Sequence, residues 1–265
     1  MVLRRFALCL PLVLVLAACG SSQTGAPSTN ETEPPPETAT TVPEAKTSIV
    51  VYFLRGGQVA PVHREVPQTA AVGTAAVEAL LAGPTASEQE LGIESALPPA
   101  RLSQLTVADG AAGVDLSEGD LSTAALAQLT FTLTQFSTVK GVWAAVKAEP
   151  AGPEDHPLTR EDFPDLTPTI LVEHPSLGET VSSPVQVTGT ASVFEATLRV
   201  QLVGPDGETL WEDLVTASEG APGRGTFAVG VPFSASGSGK VVAFTLSAAD
   251  GSEQHNFEVP VQLGP

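Results

Sequence analysis

The sequence predicts two folded modules of different class. The first is an α+β domain over residues 48–149, a mixed sheet carrying two helices. The second is an all-β immunoglobulin-like sandwich over 169–265. Three observations carry this expectation. Apolar residues recur at helical spacing twice, and both stretches precede residue 137. From 169 onward no helical period is found, and short alternating runs follow one another between turn residues. Stretches rich in Pro and acidic residues, 20–47 and 150–168, set these regions apart.

The N-terminus comes first in the chain and sets the compartment. Arg4 and Arg5 precede an apolar run, Phe6–Ala18, of 13 residues, too short to span a bilayer. The run ends in Leu16-Ala17-Ala18-Cys19, the lipobox pattern of a bacterial lipoprotein. Small residues before the cut fit a signal peptidase, and the Cys19 thiol takes a diacylglyceryl group. Residues 1–19 are therefore expected to be a signal peptide ending in an acylated Cys19. Cys9 lies in the removed segment. No second apolar run of spanning length follows, so the mature chain is expected to be anchored to the outer face of the plasma membrane. Residues 20–47 have too little apolar content to fold and read as a tether. As a flexible coil they would reach roughly 30 Å.

In the first module, Ile49–Leu54 is a continuous apolar, β-branched and aromatic run, the pattern of a buried strand. Arg55-Gly56-Gly57-Gln58 turns it into a second strand, Val59–Val66. Ala70–Ala82 carries Val72, Ala76, Val77, Leu80 and Leu81 at helical spacing, and Gly83-Pro84 ends it. Leu102–Ala108 and Gly113–Leu116 flank Asp109-Gly110, a hairpin signal. Leu121–Phe136 places Leu121, Ala125, Leu129, Leu133 and Phe136 on one helical face, although the alternation at Thr130–Thr134 would also suit a strand. Val142–Val146 completes a β-β-α-β-β-α-β order with two helices on one sheet.

Residues 150–168 read as a linker. Beyond it lie seven predicted strands: Ile170–Glu173, Val185–Gly189, Ala196–Val203, Thr209–Thr216, Gly225–Phe233, Val241–Ala248 and Gln254–Gln262. Gly204-Pro205-Asp206-Gly207 and Asp250-Gly251 mark hairpins between them. Seven short strands in this span suit an immunoglobulin-like sandwich.

Charge narrows the function. The chain carries 12 basic and 30 acidic residues, a formal charge of −18, which argues against nucleic-acid binding. Residues 150–265 hold 16 acidic against 4 basic residues, the first module 10 against 5. A solvated acidic surface is the favoured reading, with attraction of basic partners or divalent ions as the alternative. Two Cys cannot form a Cys-rich zinc site, and the four His stand in no two-ligand spacing.

Several motifs carry less than their letters suggest. Gly223-Arg224-Gly225-Thr226-Phe227-Ala228 fits a dinucleotide fingerprint, but an alternating strand follows where a helix is required. Gly237-Ser238-Gly239-Lys240 looks like the tail of a phosphate loop, with Val241 where Ser or Thr should stand. Glu154-Asp155-His156 with Glu161-Asp162 could ligate calcium, although a solvated linker is favoured. No catalytic set emerges and no cofactor is required, so the chain is read as a non-enzyme. Trp143 is expected in the core, and Trp211 in the core or on a partner surface. Phe194-Glu195 either plugs the end of the sandwich, the favoured reading, or tips a binding loop. Phe194, Glu195 and Trp211 are the candidate interaction residues.

The first module resembles the GerMN domain, named for sporulation and spore germination proteins. The matching pieces are Val51-Tyr52-Phe53-Leu54, Leu80 through Thr85, Gly92 through Pro98, Val114-Asp115-Leu116, and Gln128-Leu129-Thr130 through Leu133-Thr134-Gln135-Phe136. The last module resembles the immunoglobulin-like domain of bacterial spore germination proteins. It matches through Ser183-Pro184-Val185 with Val187-Thr188-Gly189, Ala191, Val193-Phe194-Glu195, Ala217, Gly220-Ala221, Gly225-Thr226-Phe227 and Asp250-Gly251-Ser252. Pro157-Leu158-Thr159 and Phe163 fit the usual joint between the two. The chain carries one GerMN copy where germination proteins can carry two. The resemblance implies ring-building folds that assemble in envelope complexes, with related actinobacterial lipoproteins working beside a membrane sensor kinase. It supplies no catalytic motif. The expected function is thus a lipid-anchored envelope scaffold with an envelope protein partner and its membrane anchor, and no nucleic acid. A solute- or wall-glycan-binding lipoprotein is the alternative. The oligomeric state is open.

Overall fold

The computed structural model describes residues 45–264. The signal segment, Cys19 and nearly all of the expected tether lie outside those residues. Strands β1 (Lys46–Arg55) and β2 (Gln58–Pro67) form a hairpin paired along its full length, with Lys46 opposite Pro67. Gly56 and Gly57 turn it at φ 59° and 81°, a region glycine enters without steric penalty. Helix α1 (Val72–Leu81) follows, and Gly83 at φ 79° with Pro84 stops it.

A short helix α2 (Ala86–Glu90) was not expected from the apolar period. Its signature was a capping box: the Glu88 N–H donates to Thr85 Oγ1 at 3.4 Å, and the Thr85 N–H donates to Glu88 Oε2 at 2.8 Å. Arg64 ties it to β2 through Glu88, with Nη2 donating to Oε2 at 2.7 Å. Two-residue β3 (Ile93–Glu94) extends the first sheet, ordered β2-β1-β3. Strands β4 (Leu102–Ala108) and β5 (Ala111–Leu116) turn at Asp109-Gly110, helix α3 (Thr123–Leu133) crosses over, and β6 (Gly141–Val146) returns parallel to β5. With β7 (Glu149–Pro150) these make a second, mixed sheet, β4-β5-β6-β7. The fold class is the expected α+β, but its strands divide into two sheets rather than one. Helices α1 and α3 pack on each other and on both sheets.

The second module holds β8 (Ile170–His174), β9 (Thr180–Val181), β10 (Val185–Ala191), β11 (Thr197–Val203), β12 (Thr209–Thr216), β13 (Gly225–Val231), β14 (Gly237–Leu246) and β15 (Glu253–Leu263). They form sheets β13-β10-β8 and β12-β11-β14-β15-β9, the expected sandwich. The phosphate-loop lookalike Gly237–Lys240 is the start of β14, paired to β15. Gly225 of the dinucleotide lookalike opens β13. At Gly189 the two backbones come so close that a Cβ would lie 2.1 Å from the Leu171 carbonyl oxygen, so only glycine fits.

Strand β1 explains why Ile49–Leu54 is apolar without a break. Ile49, Val51 and Phe53 enter one apolar cluster with α1, while Tyr52 and Leu54 enter another with the sandwich. Both faces are covered, as a continuous apolar run requires. Helix α3 lies between the same two clusters, giving Leu129 and Leu133 to the first and Ala127 and Phe131 to the second.

Part of the alternation that made α3 ambiguous, Thr132, has a physical origin. Gln128 and Thr132, one turn apart, and Gln135 just beyond the helix face the edge of β1. The Tyr52 N–H donates to Thr132 Oγ1 at 3.0 Å, and Gln128 Nε2 donates to the Tyr52 carbonyl at 3.1 Å. The Val50 N–H donates to Gln135 Oε1 at 2.9 Å, and the Val50 carbonyl accepts from Gln135 Nε2. Side chains of a helix thus complete a strand edge that no neighbouring strand pairs along Val50–Tyr52, which also blunts it against stray pairing.

Trp143 is a correction. It is 39% exposed, whereas Val142 is buried in the first cluster. Successive side chains of a strand point to opposite faces, and Val142, not Trp143, takes the inward position.

Candidate interaction surface

Phe194 lies 81% exposed, so the plug reading is overturned. A single 3-10 turn, Phe194–Ala196, carries it between β10 and β11. Glu195 and Ala196 sit at φ 55° and 56°, left-handed backbone that non-glycine residues rarely adopt. Backbone bonds hold the turn: the Ala196 N–H donates to the Val193 carbonyl at 3.2 Å, Ala221 N–H to the same oxygen at 2.9 Å, and Ala217 N–H to the Ala196 carbonyl at 2.7 Å. Beneath it Val193 is buried in the sandwich. The turn is thus pinned from both sides while its ring points out.

Phe194 and Glu195 line a groove of about 910 Å³. Leu214 of β12, 59% exposed, and Leu246 of β14, 45% exposed, line it too. Sequence reasoning missed both leucines. Their only signal was an apolar residue standing among Glu212 and Asp213, or beside a polar turn. Trp211 does not join them. It is half-buried, packed against the sandwich cluster and opposite Leu202. Polar edges of the groove come from Arg199, which pairs with Glu212 at 2.6 Å, and from His255.

A second constellation joins the two modules. The Tyr52 hydroxyl donates to Glu173 Oε1 at 2.6 Å, and Arg160 Nη1 contacts the same oxygen. Arg160 Nε donates to Thr134 Oγ1 at 2.8 Å. The guanidinium carbon lies 4.8 Å from the Phe131 ring centre and 5.3 Å from that of Tyr52, within cation–π reach. Burial, then the Glu173 carboxylate, pushes the Tyr52 hydroxyl far above its ordinary range. It stays protonated as a hydrogen-bond donor and is unsuited to act as base or nucleophile. Around this cluster, Leu158 exchanges two backbone bonds with Val142, at 2.8 and 2.9 Å, and Leu177 exchanges two with β2, both at 3.2 Å. Arg55 Nη2 donates to the Glu258 carbonyl at 2.6 Å. Residues 45–264 lie in one compact unit.

The acidic residues of 150–168 do not converge. His156 contacts Asp155 at 2.9 Å and Asp162 at 3.5 Å, and Asp162 caps Thr159. Among the described residues no group of three or more His, Cys, Asp or Glu could hold a metal ion. Among them, too, no helix is long and apolar enough to cross a membrane. Leu16, Ala17, Ala18 and Cys19 lie outside the described residues.

Residues 50–150 match the family described as sporulation and spore germination. Residues 169–252 match the immunoglobulin-like domain of bacterial spore germination. Among solved structures, the tandem GerMN domains of the sporulation protein GerM from Bacillus subtilis align over 71% of this chain and 62% of that one, at 15% identity and a TM-score of 0.38. The chain therefore spans under two thirds of that structure's length. The first GerMN domain of the same protein aligns over 44% of this chain and 99% of that one, at 21% identity and a TM-score of 0.36. CopC from Methylosinus trichosporium OB3b aligns over 34% and 87%, at 21% identity and a TM-score of 0.25. No curated protein matches the chain.

Proposed function

Since the chain joins a GerMN domain of sporulation and spore germination to the immunoglobulin-like domain of bacterial spore germination, we propose that it is a non-enzymatic scaffold of the bacterial envelope. Cys19 anchors it to the outer leaflet of the plasma membrane, residues 20–47 set its reach, and the sandwich presents a protein-binding surface to an envelope or sensor complex. The observation that carries this reading is Phe194, 81% exposed on a pinned turn beside Leu214 and Leu246. Exposed apolar groups clustered on one groove mark interaction sites more often than chance surface. An aromatic fixed before binding also loses little entropy on association. The single tyrosine of the chain, Tyr52, holds the joint, and the reading assigns no catalytic residue.

The test is site-specific photo-crosslinking in cells. A photoreactive residue replaces Phe194 in the full chain, and a control chain carries it at Glu161. One dominant envelope protein captured at 194 and not at 161, and lost with Leu214→Ser, is the expected result. Equal capture at both positions, or none at 194, would sink the proposal. The anchor has its own test. Cys19→Ser should release the chain from the membrane fraction or leave the signal uncleaved, and unchanged lipid labelling in that variant would refute the anchor.

A further inference from the structure

The outer face of the mixed sheet carries a second site, unrelated to the Phe194 groove. On β6, Val142 packs inward and Trp143 points out. The parallel register sets Gly113 of β5 beside Trp143, and Asp115 beside Ala145. On the other side of β5, Thr106 stands opposite Gly113 and Gln104 opposite Asp115. Gly113 has a steric reason to be glycine, since a Cβ there would lie 2.8 Å from Thr106 Oγ1. Two small neighbours, Gly113 and Ala145, therefore leave one flank of the indole open. The result is a cleft of about 490 Å³, walled by Pro150 and Pro153. That volume falls in the range of small-molecule sites.

The polar groups decide the ligand class. Gln104, Thr106, Asp115 and Glu154 line the cleft, and no basic side chain does. Asp115 lines the cleft, and its Oδ1 accepts the Ala148 N–H at 2.9 Å. Two carboxylates without a cation repel phosphates and uronates. They accept hydrogen bonds, so the ligand is rich in donors and carries no net negative charge. Beside them the indole face, negative by its quadrupole, attracts weakly positive C–H groups. A pyranose offers C–H groups on one face and hydroxyl and amide N–H donors on its rim. A proline-rich peptide offers the C–H face but few donors, because proline has no N–H. We propose that this cleft binds a neutral N-acetylated glycan chain, with Trp143 as the stacking platform and Asp115, Gln104 and Glu154 as acceptors.

Trp143 and Trp211 are the two tryptophans of the chain. In the full chain carrying Trp211→Phe, indole emission therefore reports on Trp143 alone. Titration with the hexamer of N-acetylglucosamine should shift that emission saturably and shield it from acrylamide. By calorimetry, Trp143→Ala should weaken binding at least about ten-fold, with the melting temperature kept as a check on folding. Trp143→Tyr should retain most of the affinity, and Gln104→Leu should lower it several-fold. The proposal fails if the folded protein gives no saturable response. It fails if Trp143→Ala binds as tightly as the native chain. It also fails if a proline-rich peptide spanning residues 31–43 of this chain saturates the site and the hexamer does not.

Discussion

The joint between the modules and the Phe194 turn use the same kinds of side chain to opposite ends. At the joint, Phe131 and Tyr52 are buried against the sandwich cluster, and Arg160 and Glu173 answer one another across the module boundary. At the turn, Phe194, Leu214 and Leu246 stay open to water although Val193 beside them is fully packed. The chain therefore buries aromatic residues well where two of its own surfaces meet. Apolar exposure at the turn is not a shortage of core, and this contrast separates surfaces used for folding from surfaces kept for others.

Breaking the joint should give the largest effect. Arg160→Ala leaves Glu173 without its charge partner beside a buried hydroxyl, which should lower stability by about 3 kcal/mol. Calorimetry should then show two unfolding transitions in place of one. A single transition at the native temperature would show that Arg160 does not fasten the modules. Gln128→Leu sharpens the comparison from within the first module. It leaves the Tyr52 carbonyl and the Ala96 N–H, now bonded to Gln128 at 3.1 and 2.6 Å, without partners. The loss should be about 2 kcal/mol in chemical denaturation, with the modules still unfolding together.

A smaller effect should come from pH. His174 contacts Glu179 at 3.3 Å. The Glu179 hydrogen bond, against the effect of burial, raises the imidazole above its ordinary 6.5. Its stabilisation is fully present below that value and is lost as pH rises through the raised one. For Glu179, burial acts to raise the carboxyl, but His174 and the Ser176 N–H outweigh it and hold the group below its ordinary 4.5. That contribution is present above 4.5 and is lost as pH falls. Melting temperature should therefore peak between the two and decline on both sides. Because His174 is nearly half exposed, the amplitude should stay under about 1 kcal/mol. His174→Asn should flatten the alkaline decline, and an unchanged decline would assign it to other groups. Phe194→Ser should have the least effect on stability, within about 0.5 kcal/mol, while abolishing capture of the partner. A clear loss of stability would mean that the ring serves the fold after all.

Much of this was legible in the letters. Thr209–Thr216 was read to the residue and Gly225–Val231 nearly so, because alternation and Gly or Asp turns are local signals. Helix α3 was half legible, since the polar residues that dock on β1 blur its apolar face. Trp143 was misread because an apolar run does not say which of its residues faces out. The Phe194 loop could be named from sequence, but not its exposure, nor Leu214 and Leu246 gathered beside it. Pro157-Leu158-Thr159 and Phe163 marked where the joint falls, but its contacts were invisible: Tyr52 and Glu173 lie 121 residues apart, and the proline and acid content of 150–168 carried no sign of what Arg160 does.

The Arg160 joint also bears on how such chains can evolve. Domains joined by a bare tether can be exchanged by recombination, since each keeps its own core. Here a crossover within 150–168 would strip Tyr52 and Phe131 of their cover, and one beyond residue 160 would also part Arg160 from Glu173. The two halves are thus constrained to be inherited together, and a substitution on one side of the boundary must be answered on the other.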